Sequence, residues 1–83
     1  MDIRAWVMNP YEIIEDVLVD YAGIIAKYVI KRSLNEMGIR QHTTPEVLMA
    51  FVDTVVERTI LDKELREEAR AAILKRLKEN SFI

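Results

Sequence analysis

The stretch PYEIIEDVLVDYAGIIAKYVIKRSLNEM, from Pro10 to Met37, decides how this chain folds. Pro10 follows Asn9, so its missing N–H falls at the first helical position, behind a side chain able to cap the exposed donors. Gly38 follows Met37 and suits the left-handed residue that closes a helix. Between these marks, Tyr11, Ile13, Ile14, Val17, Leu18, Tyr21, Ile24, Ile25, Tyr28, Val29, Ile30, Leu34 and Met37 cover far more than one helical face. The polar stripe is narrow: Glu12, Asp16, Asp20, Lys27, Lys31 and Asn35 follow one another at about one-turn spacing. The spacing predicts one helix over 10–37. At 1.5 Å per residue it would be about 40 Å long, more than a compact domain of this size can flank by itself.

Two further helices follow from similar punctuation. Thr44 precedes Pro45, and Thr43 with Glu46 has capping-box spacing. A second helix over 45–61 then puts Leu48, Phe51, Val52, Val55 and Val56 on one broad face, with Glu46, Asp53 and Glu57 opposite. Asp62 supplies an acidic cap for a third helix over 62–80, where Leu65, Ala69, Ile73 and Leu77 recur every four residues. Its last turns carry Lys75, Arg76 and Lys78, the sign favoured at a helix C-terminus. Residues 1–9 read as an arm or a short helix that lays Ile3, Trp6 and Val7 on the body; Phe82 packs likewise near the other end. The expected architecture is all-α, one domain over 1–83. It is a small bundle of three main helices with a long first helix, completed by homodimerisation.

Composition points the same way. The chain has 83 residues, 51% of them hydrophobic, with no Cys and one His. So short a chain buries a small share of its unfolded surface, and neither disulfides nor a thiolate zinc site can help. Oligomerisation is the remaining support. Glu12, Glu15, Asp16 and Asp20 lie in the first half of the long helix and Lys27, Lys31 and Arg32 in the second. An antiparallel copy would set acidic halves beside basic ones, crossing where Ala22, Gly23 and Ala26 let two backbones approach. The interface expected of that homodimer is Tyr21, Ala22, Gly23, Ile25, Ala26 and Val29.

Charge and hydropathy exclude some classes of function. Twelve basic against 14 acidic side chains give a net charge of −2, with a pI near 5.4, which disfavours nucleic acid as the main partner. No run approaches the 18 or more apolar residues of a membrane span. The start, Met-Asp-Ile-Arg-Ala-Trp, lacks the order of a signal peptide, so a cytoplasmic location is expected. High Ile and Val with few Gln and Asn suit a thermophile. No cofactor is implied.

Three patterns could carry chemistry. Glu12, Asp16 and Asp20, with Glu15 beside them, form a carboxylate face of the kind that holds Mg²⁺ when a second helix adds ligands, here Glu64, Glu67 and Glu68. The string Glu12-Ile-Ile-Glu15-Asp16-Val17-Leu18 resembles the carboxylate helix of all-α nucleotide pyrophosphohydrolases of the MazG type. That resemblance implies metal-dependent phosphohydrolysis. It departs from the family in spacing, because Glu12 and Asp16 stand four residues apart where the family pairs Glu and Asp at three. Leu34-Asn-Glu-Met-Gly38-Ile39 resembles the turn of a helix-turn-helix, and Lys27, Lys31, Arg32 and Arg40 could form a basic nucleic-acid patch. A second basic set is Arg66, Arg70, Lys75, Arg76 and Lys78. The acidic Glu46, Asp53 and Glu57 on the following helix would repel phosphates. His42 reads as a loop residue, and Tyr11, Tyr21 and Tyr28 as core aromatics with their hydroxyls at the rim.

The reading that best fits these residues is a non-enzymatic helical interaction or assembly module, acting as a homodimer that presents a surface to a macromolecular partner, such as another protein. The alternatives are a small nucleic-acid-binding regulator and a metal-dependent phosphohydrolase.

Overall fold

In the computed structural model the described residues are 9–39 and 43–83. Residues 1–8 of the expected 1–9 arm, including Ile3, Trp6 and Val7, lie outside them, as do Arg40 and His42. Among the described residues there are four helices: α1 (Pro10–Ala22), α2 (Ile25–Glu36), α3 (Pro45–Thr59) and α4 (Lys63–Glu79). The all-α class holds. The number of helices does not, because the expected 10–37 helix is two helices.

Gly23 makes the break. Its N–H donates to the Val19 carbonyl at 2.8 Å, closing α1, and its backbone then turns to φ 68° and ψ −152°. That combination is open only to glycine. The first bonds of α2 are tight three-residue turns, Ala26 to Gly23 at 3.1 Å and Lys27 to Ile24 at 3.1 Å. Folding the two halves onto one body lets each bury its own stripe: Ile13, Ile14, Val17 and Leu18 from α1, Ala26 and Ile30 from α2. Each large apolar side chain buried contributes about 1.5–3 kcal/mol, far more than the intrahelical hydrogen bonds lost at the corner. The wide apolar girth that suggested a second chain is therefore covered largely within the chain itself.

The other ends follow their local chemistry. Asn9 accepts from the Glu12 N–H at 2.9 Å, Thr44 from Val47 at 3.2 Å and Asp62 from Glu64 at 2.9 Å, three capped N-termini. The α2 C-terminus closes in a Schellman motif, with Ile39 N–H to Leu34 at 3.0 Å, Gly38 N–H to Asn35 at 3.2 Å and Gly38 at φ 64°. The same motif ends α4 with Ser81 in the left-handed position, φ 64°. The second predicted helix ends at Thr59 instead of residue 61, since Ile60 is already extended.

Ion pairs show how the helices run. Asp16 meets Arg76 at 2.6 Å and Asp53 meets Arg70 at 2.5 Å, while the Arg66 guanidinium caps the carbonyls of Ile60 and Glu57. Helix α4 thus runs antiparallel to both α1 and α3. The start of α1 and the end of α2 line one groove through Asn9, Tyr11, Ile30 and Leu34, so these two are antiparallel as well. Contacts link α1 to α2, α2 to α3, α3 to α4 and α4 to α1, with α1 also touching α3 across the middle. The centre holds Phe51, whose ring meets Tyr11 edge to face, centroids 5.1 Å apart. The radius of gyration, 12.2 Å, is what about 80 residues need when compact.

Candidate interaction surface

The α1–α2 hairpin presents an outer face in two tones. Helix α1 contributes Glu12, Glu15, Asp16 and Asp20 and no cation; α2 contributes Lys27, Lys31 and Arg32 against Glu36 alone. A shallow groove runs between them. Glu12, Glu15, Asp16 and Val19 line it with Lys27, and Tyr11, Ile30, Lys31 and Leu34 continue it. The Tyr11 hydroxyl is buried there without a hydrogen-bond partner among the described residues.

At the corner the apolar surface is uncovered. Ile24 is 71% exposed, Ile25 51% and Tyr28 70%. The α3–α4 connection lies at the same end of the bundle, because Glu68 near the start of α4 faces Tyr21 near the end of α1. Leu61 there is 92% exposed. Leu65, expected in the core column of α4, overruns the end of α1 and stays exposed, while Ala69, Ile73 and Leu77 are buried.

The expected dimer-interface residues are dispersed by the corner. Ala26 is fully buried in its own core, Tyr21, Ala22 and Val29 are half-buried, and Gly23 and Ile25 are exposed. A crossing along one continuous helix has no such helix to run on. The carboxylates are also distributed: Glu12 accepts from the Asn9 amide at 2.9 Å, and Asp16 is held by Arg76. Among the described residues no three His, Cys, Asp or Glu side chains gather as metal ligands. Of the second basic set, Arg70 and Arg76 are engaged in ion pairs, and Arg66 donates hydrogen bonds to backbone carbonyls.

One polar link that the sequence did not signal joins α2 to α3. Arg58 donates to the buried Ser33 hydroxyl at 3.0 Å and to Glu36. Arg58, with Arg32 behind it, holds the Glu36 carboxyl below its ordinary pKa against the cost of desolvation. A depressed carboxylate adds stability that is present above its unfolded pKa and is lost as the pH falls through its folded value. The difference in thermal midpoint between wild type and Glu36→Gln is therefore expected to be largest near neutrality and to shrink on acidification. A difference independent of pH would rule out the charge link. Tyr21 shifts the other way, its phenol pushed up by burial and by the neighbouring Glu68 and Asp20 carboxylates.

No family model, no curated protein and no solved structure matches this chain.

Proposed function

We propose that this protein is a non-enzymatic helical interaction module that works by associating through the α1–α2 corner and the outer face beside it. The observation that carries this reading is the exposure of Ile24, Ile25 and Tyr28 together at one corner of the bundle. Isolated exposed apolar residues are ordinary, but several large ones adjoining on one corner mark a contact surface. The nucleic-acid reading has less support, since α1 sets a row of carboxylates beside the cations of α2. The hydrolase reading lacks a gathered ligand set among the described residues.

The test is the double variant Ile24→Asp, Tyr28→Asp. Both side chains are solvent-facing, so stability should change by no more than about 0.5 kcal/mol per site. Association, read as the concentration dependence of mass in sedimentation velocity, should be lost. An association unchanged by these two charges would remove the corner from the reading.

A further inference from the structure

From the two-tone face we infer that its occupant is a second copy of this chain, docked about a two-fold axis parallel to the helices so that α1 of each protomer lies on α2 of the other. This rests on the interaction-module reading and specifies its partner. The charges make the face its own complement. Helix α1 carries Glu12 and Glu15 towards the groove, and α2 carries Lys27 and Lys31 on the opposite bank. Among the described residues, Glu15, Lys27 and Lys31 enter no ion pair within the chain. A two-fold axis along the helices exchanges the two banks while keeping the level along the axis. Acidic bank then meets basic bank twice, with the half-buried Val19 and Leu34 between them. An axis perpendicular to the helices would stack α1 on α1, carboxylate on carboxylate.

A partner of one sign fits poorly. Packed helices lie about 8–10 Å apart, within one Debye length, about 8–10 Å at ordinary salt. A nucleic acid or an anionic membrane drawn to Lys27 and Lys31 would therefore feel Glu12 and Glu15 as well. A second copy brings both signs in the required order, and the isologous contact closes on itself. The area sets the strength. Two helices about 20 Å long give a face on the order of 400 Å² in projection, which places the dimer at the small end of interfaces, under about 1,200 Å² in total. An interface of that size is expected to be one that dilution dissociates.

The experiment uses two charge-reversed chains. The first carries Lys27→Glu and Lys31→Glu, the second Glu12→Lys and Glu15→Lys; Asp16 is left alone because Arg76 holds it. Each variant is checked by circular dichroism and thermal melting, then sedimented alone and mixed in equal amounts. Wild type should dimerise with concentration, each variant alone should stay monomeric, and the mixture should regain the dimer mass at wild-type concentrations or below. A mixture that remains monomeric, or single variants that dimerise like wild type, overturns the proposed geometry. If the reversals have no effect while Ile24→Asp with Tyr28→Asp abolishes association, the module reading stands and the two-fold pairing of α1 on α2 falls. A wild-type chain that is monomeric throughout, with amide shifts unchanged on dilution, overturns the second-copy assignment outright.

Discussion

Phe51→Ala is expected to cost about 3–5 kcal/mol, the range for deleting a fully buried large aromatic side chain. Phe51 is completely buried, and it sits on α3, which touches each of the other three helices. Its ring also receives Tyr11 edge to face at an interplanar angle of 86°. Truncation leaves a cavity between α3 and the Tyr11 ring of α1. For 83 residues, total stability at about 0.05–0.15 kcal/mol per residue is on the order of 4–12 kcal/mol. The substitution thus removes between about a quarter and all of it. In urea unfolding the midpoint should fall steeply, and at the lower end of stability the variant should be unfolded without denaturant. Val56→Ala, at the margin of the same face, should cost less because fewer atoms are removed. If the two variants unfold at the same denaturant concentration, Phe51 is not the centre of this core.

Much of the core was legible from spacing alone. Leu48, Phe51, Val52, Val55 and Val56 form the buried face of α3 as their period requires, and Asn9, Thr44 and Asp62 cap the helices they precede. These features are local, set by side chains within one or two turns. What was not legible depended on distant groups. Arg58 gains its role only when the fold brings Ser33 and Glu36 of α2 to it. Ser81 in a left-handed position is a choice made by the closing bonds of α4, against its own propensity. Leu65 has the period of a core residue, yet it is exposed because α1 ends before reaching it. The apolar girth of residues 10–37 is too wide for one helix to hide. Spacing alone points to a second chain as its cover, because the sequence gives no measure of how sharply Gly23 can turn. The surface left for a second copy is accordingly smaller than a 40 Å helix implied, and differently placed.

The sharpest consequence concerns Gly23. Its φ of 68° and ψ of −152° lie where an L-residue is strained by on the order of 1–3 kcal/mol, although a Cβ there would meet no atom within 4 Å. Gly23→Ala therefore penalises the corner through the backbone alone. In a helix the same change is favourable by about 0.8–1.0 kcal/mol. The two terms act in one direction, towards a continuous helix from Pro10 to Glu36. That helix separates the α1 and α2 stripes that now share one core, so it can persist only if α1 packs against α2, α3 and α4 of another chain. Gly23→Ala is expected to form a domain-swapped dimer, the usual result when a strained hinge is straightened. The variant is best made together with Lys27→Glu and Lys31→Glu, so that face-to-face association does not contribute. Its mass should double, its melting temperature should rise with protein concentration, and its dimer should exchange slowly because exchange requires unpacking a core. D-alanine at the same position, introduced by chemical synthesis, adopts positive φ without strain and should restore the monomer. A monomeric Gly23→Ala chain with the wild-type melting temperature would show that the corner is held by something other than the conformational freedom of glycine.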